Sequence, residues 1–150
     1  MAYQAKRLKK VIEEFELVDE NGIVVEQLHV ELDAGKMAEK INGKYIALIR
    51  AQADATKIHA GINSNEEVQN GYVRLGVAVT DMIEAVFGAE DTAKILAFYE
   101  KDYIVMTREV IPFISSIVIP KLRDVAQQNK RQVLSQYNRK QRRSFLKKVK

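Results

Sequence analysis

The sequence predicts an α+β protein: an N-terminal β-hairpin, or a small antiparallel sheet, packed on a mostly helical remainder, with a basic C-terminal helix or tail. Three observations carry this. Two runs rich in β-formers flank Asp19-Glu20-Asn21-Gly22 near the N-terminus. From Ala34 onward apolar residues recur every three or four positions, the spacing of one helical face. Charge is split along the chain. Residues 121–150 hold eleven Lys+Arg against one acidic residue, Asp124, whereas the first 120 hold thirteen basic and nineteen acidic residues. The division is one domain over residues 1–136 and a basic tail over 137–150.

The hairpin spans Val11 to Asp33, because Asn21-Gly22 supplies the positive φ angles that a tight turn needs. In its second strand Val24, Leu28, Val30 and Leu32 share one face, interrupted by Glu26. Ile23, Val25, Gln27, His29 and Glu31 form the other. A helical stretch from about Ala34 to Ala60 follows, with Asp33 as N-cap and a stripe of Met37, Ile41, Tyr45, Leu48, Gln52, Ala55 and Ile58. Asn42-Gly43 lies inside it and costs about 1 kcal/mol at the glycine, so the helix is expected to break or begin there. Gly61 to Val73 reads as a loop-rich centre in which Asn65-Glu66-Glu67 opens a short helix. Val73, Val77, Thr80, Ile83 and Phe87 then form a stripe ending at Gly88, a natural C-cap. Glu90-Asp91 starts another helix, whose buried face is Ile95, Phe98-Tyr99, Tyr103 and Met106, and Pro112 kinks or restarts it. The last amphipathic stretch runs from Lys121 to about Tyr137 and carries Leu122, Val125, Val133 and Tyr137.

Composition excludes several kinds of chemistry. The chain has 150 residues, enough to bury about two-thirds of its unfolded surface. It has no cysteine, hence no disulfide framework, thiolate metal site or thiol nucleophile. His29 and His59 lack a second histidine at ligand spacing. Ser115-Ser116 has no nucleophile-elbow glycines around it and reads as serines bonding back to their own helix. Asn42-Gly43-Lys44-Tyr45 lacks the other residues of a phosphate loop, and the hairpin turn has too few oxygen ligands for calcium. Paired carboxylates such as Glu13-Glu14 and Glu66-Glu67 read as solvated faces. The expectation is a protein that is not an enzyme and takes no cofactor. No apolar run follows the basic N-terminus, which predicts no secretory signal, and Val110 to Pro120 is short of the roughly 20 residues that span a bilayer.

The basic end admits three functional readings, beside that of a solubilising end with no specific partner. As a nucleic-acid arm it offers arginine forks, with Tyr137 and Phe145 for stacking, but the acidic body opposes a polyanion and no nucleic-acid-binding motif is present. As a membrane-surface helix its apolar stripe is thin. As a protein-binding handle it needs only an acidic or amphipathic partner, which the chain's own first 120 residues supply. Protein contact is the stronger reading.

Phe15–Asp33 (FELVDENGIVVEQLHVELD), the helical middle, Val86–Leu122 (VFGAEDTAKILAFYEKDYIVMTREVIPFISSIVIPKL) and Tyr137–Lys148 (YNRKQRRSFLKK) together resemble the tail assembly chaperones of long-tailed bacteriophages that infect Gram-positive bacteria. The similarity is one of layout over most of the chain, carried by Phe87-Gly88 before an acidic helix start, the Pro112-Phe113-Ile114 kink and the arginine-rich terminus. It implies a non-catalytic protein of the host cytoplasm, of the short form, that binds the tape measure protein and keeps it soluble. It implies also that the chaperone helps tail tube subunits polymerise around that partner, which makes the tail tube protein a second candidate partner, and that the chaperone is absent from the mature virion.

On that reading Tyr137, Arg139, Lys140, Arg142, Arg143, Phe145, Leu146, Lys147 and Lys148 contact the partner or a second copy. Phe98, Tyr99, Met106, Phe113 and Ile117 are candidates for an apolar groove, although each taken alone reads first as core. The competing readings are a small nucleic-acid-binding protein that uses the basic arm, and a structural head–tail connector.

Overall fold

The computed structural model describes residues 2–60 and 64–149, with side chains described for 2–57 and 64–135. Strand β1 (Val11–Val18) and strand β2 (Val24–Leu32) form one antiparallel two-stranded sheet. The turn closes on Asp19, whose carboxylate accepts the backbone N–H groups of Asn21 and Ile23 at 2.9 Å each. Gly22 takes the positive φ of 81° that the turn requires.

The register then slips. Leu17 faces Glu26 but Val18 faces Val24, leaving Val25 over as a β-bulge. That extra residue turns Val24 to the opposite face from Leu28, Val30 and Leu32, and Val24 is 47% exposed. The expectation of a shared face is therefore corrected at Val24 alone. The inner face, with Val11, Leu17, Leu28, Val30 and Leu32 buried, packs against the helices. A lone two-stranded sheet is marginal in water, so this packing is what holds it.

Helix α1 (Ala34–Ala60) is continuous, contrary to the break expected at Asn42-Gly43. Asp33 caps it, accepting from the Gly35 and Lys36 N–H groups at 3.0 and 3.4 Å. Ile41 and Leu48, both fully buried, anchor it on either side of the glycine, and Arg123 donates to Asn42 Oδ1 at 2.9 Å. Tertiary contacts thus outweigh one unfavourable residue. Ile58, the last residue of the predicted stripe, lies outside the described side chains.

Helix α2 (Asn65–Phe98) begins at Asn65, where a short helix was expected, with Ser64 accepting from Glu67 N–H as N-cap, but it continues through the rest of the stretch read as loop-rich. Residues 61–63 of that expected loop lie outside the described residues. The buried face is Leu75, Val79, Met82, Ile83 and Val86, whereas Val73 and Val77 are 55% and 56% exposed. Gly88, at φ 83° and ψ 168°, breaks the helical run where a helix end was expected.

Glu100 and Lys101 adopt left-handed φ values of 52° and 59°, which cuts the single helix expected from Glu90 to Pro112. Asp102 then caps α3 (Tyr103–Glu109) by accepting from Val105 N–H at 3.2 Å. Pro112 restarts the chain as the short α4 (Ile111–Phe113), followed by a π-helical turn (Ile114–Val118) and α5 (Ile119–Val149).

The core gathers Ile41, Leu48, Val79, Met82, Ile83, Ile95, Met106, Ile114 and Leu122. Phe15 reaches from the sheet to Phe87 and Phe113, with ring centroids 5.3 and 4.9 Å away. Tyr103–Ser135 is long and apolar enough to cross a membrane by length and composition, yet Met106, Val110, Ile114 and Val118 within it are fully buried in this core.

Candidate binding surfaces

The five residues predicted to line an apolar groove do not share one. Met106 is fully buried, and Phe113 closes the aromatic triad with Phe15 and Phe87. Phe98 and Tyr99 are half-buried and stack edge to face at 4.8 Å. Of the five only Ile117 is exposed. Burial raises the Tyr99 phenol above its usual pKa, and the nearby Glu109 carboxylate pushes it the same way. Met106 and Phe113 are core because the break at Glu100–Asp102 turns α3 back onto α2, which no glycine or proline announces.

An apolar groove does exist, on another part of the helical layer. It has a volume of about 870 Å³ and lies where the end of α1, the start of α2 and α3 meet. Ala55, Val68, Tyr72, Leu75 and Ile104 give it apolar walls, and Gln52, Gln69 and Asn65 add neutral amides. No charged residue lines it among the described residues. Ile104 is 62% exposed at its rim. The Thr56 and Thr107 hydroxyls already donate within their own helices, to Gln52 O and Tyr103 O, so the groove's free character is apolar.

Beneath it Tyr72 and Tyr103 pack at 5.8 Å, and Gly76 lets the Tyr103 ring lie on the α2 backbone. The signal for this groove was present in the sequence as Val68, Tyr72 and Leu75 at helical spacing. The expected loop through Gly61–Val73 obscured it.

Other candidate chemistry is scattered. Ser115 Oγ donates to Pro112 O at 3.5 Å, the expected bond back to its own helix. His29 is exposed on β2, and the His59 side chain lies outside the described ones. Among the described residues no group of three His, Asp or Glu could hold a metal.

The basic tail, Tyr137 to Lys148, has a helical backbone as the end of α5. Its side chains lie outside the described ones, so Tyr137, Arg139, Lys140, Arg142, Arg143, Phe145, Leu146, Lys147 and Lys148 are placed by backbone alone. The last buried residue described on α5 is Asn129, which donates to Lys9 O at 3.1 Å. Lys130 to Ser135 are all exposed, Val133 among them, so of the amphipathic stretch expected from Lys121 to about Tyr137 the described part is buried only as far as Asn129. Comparisons with protein families, with curated proteins and with solved structures returned no match.

Proposed function

We propose that this protein is a non-enzymatic tail assembly chaperone of a long-tailed bacteriophage, and that its groove holds amphipathic helical segments of the tape measure protein. The single observation that carries the reading is the uncharged apolar groove between α1, α2 and α3. Helix-in-groove recognition needs such a surface, and an exposed apolar cleft on a small domain marks an interaction site. The resemblance in layout supplies the partner's identity. A long helical partner would aggregate through its apolar stripes until tube subunits cover them, and a chaperone in the host cytoplasm holds it soluble until then.

Co-expression with the tape measure protein of the same genome tests this. The expected outcome is a soluble partner that co-purifies with the chain at moderate salt. Val68→Glu, at the groove wall, should abolish both while leaving the circular dichroism spectrum unchanged. An insoluble partner and no complex with the wild-type chain would overturn the proposal. A head–tail connector would instead remain in the purified particle.

A further inference from the structure

We infer that the outer face of the β-hairpin receives the basic end of α5 from a second copy of this chain. The inference does not depend on what fills the groove of α2.

The outer face is an unpartnered sheet surface with a definite pattern. Four cross-strand rows make it up: Ile12 with Glu31, Glu14 with His29, Glu16 with Gln27, and Val18 with Val24. All eight residues are exposed, and no helix covers the face among the described residues. Carboxylates occupy the middle, and apolar side chains stand at both ends. Lys10 pairs with Glu31 at 3.6 Å at one rim, and Gln27 donates to Glu14, while Glu16 has no partner among the described residues.

The occupant follows from charge and length. Residues 139–148 carry Arg139, Lys140, Arg142, Arg143, Lys147 and Lys148 with no acidic residue, together with Phe145 and Leu146. Arg139, Arg142, Arg143 and Leu146 stand at the i, i+3, i+4, i+7 spacing of one helical face. Ten helical residues span about 15 Å. The rows from Ile12 to Val18 span about 20 Å. A helix laid along the face by Arg139, Arg142, Arg143 and Leu146 therefore sets its arginines over Glu14 and Glu16 and Leu146 near an apolar end.

The chain's own helix is on the wrong side to do this. Lys121 of α5 forms an ion pair with Glu13, an inner-face residue of β1, so α5 packs beneath the sheet. From there it runs unbroken to Val149. A continuous helix cannot turn round the sheet edge to reach the outer face, so the contact is made between copies. Donor and acceptor surfaces differ, which makes the contact heterologous and able to propagate into a ring or an open helical array.

Sedimentation of the full chain at low and high salt tests the contact, with two charge-reversed variants. Glu14→Lys with Glu16→Lys alters the exposed acceptor face. Arg139→Glu with Arg142→Glu and Arg143→Glu alters the donor. Salt-sensitive assembly of the wild type is expected, weakened at least tenfold in each variant and restored when the two variants are mixed. Circular dichroism should show each variant folded, since Glu14 and Glu16 are exposed and residues 139–143 follow Asn129, the last buried residue described on α5.

A wild type that stays monomeric, variants that assemble as the wild type does, or a mixture that fails to assemble would each overturn the inference. So would tail variants that lose binding to a duplex DNA probe yet keep wild-type assembly, which would make the tail a nucleic-acid arm.

Discussion

Gly76 sits where α2 meets the Tyr103 ring, and a Cβ there would come within 2.6 Å of Tyr103 Cε2. Gly76→Ala should gain up to about 1 kcal/mol of helix propensity and lose about 1–3 kcal/mol to overpacking, a net loss near 1 kcal/mol. With Tyr103→Ala in the background the clash is gone and the same change should stabilise, so the denaturation midpoints of the four chains form a cycle with opposite signs. Tyr99 offers a pH test. Its folded pKa is raised, by burial first and Glu109 second, above the ordinary value of 10.0 that it has when unfolded. Its contribution to stability is therefore full below pH 10 and is lost as pH rises through the folded value. Urea midpoints between pH 9 and 11 should fall more for the wild type than for Tyr99→Phe.

At the scale of elements, the hairpin and the existence of each long helix were legible because turn residues and apolar period act locally. Which face each helix buries was not. Helix α2 carries two apolar stripes, Val73-Val77 and Leu75-Val79, two positions or about 200° apart. Period alone cannot choose between them, and the packing of α1 decides for the second. The continuity of α1 through Gly43 was equally hidden, because the residues that hold it are far away in sequence. Gly43 itself is exposed, and a methyl group added there would meet nothing within 4 Å. Gly43→Ala should therefore stabilise by about 0.5–1 kcal/mol, read as a higher thermal midpoint. An unchanged or lowered midpoint would mean that the helix is not continuous there.

For the whole molecule, Phe15 is the tie between two kinds of structure, since its ring joins Phe87 of α2 and Phe113 of α4 to the sheet. Phe15→Ala should cost about 2–3 kcal/mol, below the full range for a buried phenylalanine because Phe15 is only half-buried. Amide exchange in β2 should quicken more than in α2, as the hairpin loses its hold. The predicted groove failed at this scale: Met106 and Phe113 carry apolar side chains that suit a groove or a core equally, and only the chain reversal at Glu100–Asp102 sends them inward. The π-helical turn has a consequence for chain length. In it Ile119 N–H bonds to Ile114 O, one residue wider than an α-turn. That extra residue is slack. Deleting Ser116 lets the turn tighten to α geometry and leaves everything downstream in phase, whereas deleting Arg123 swings Val125 and Asn129 about 100° away from the body. The chain can thus shed one residue in that turn, and cannot shed one a few positions later.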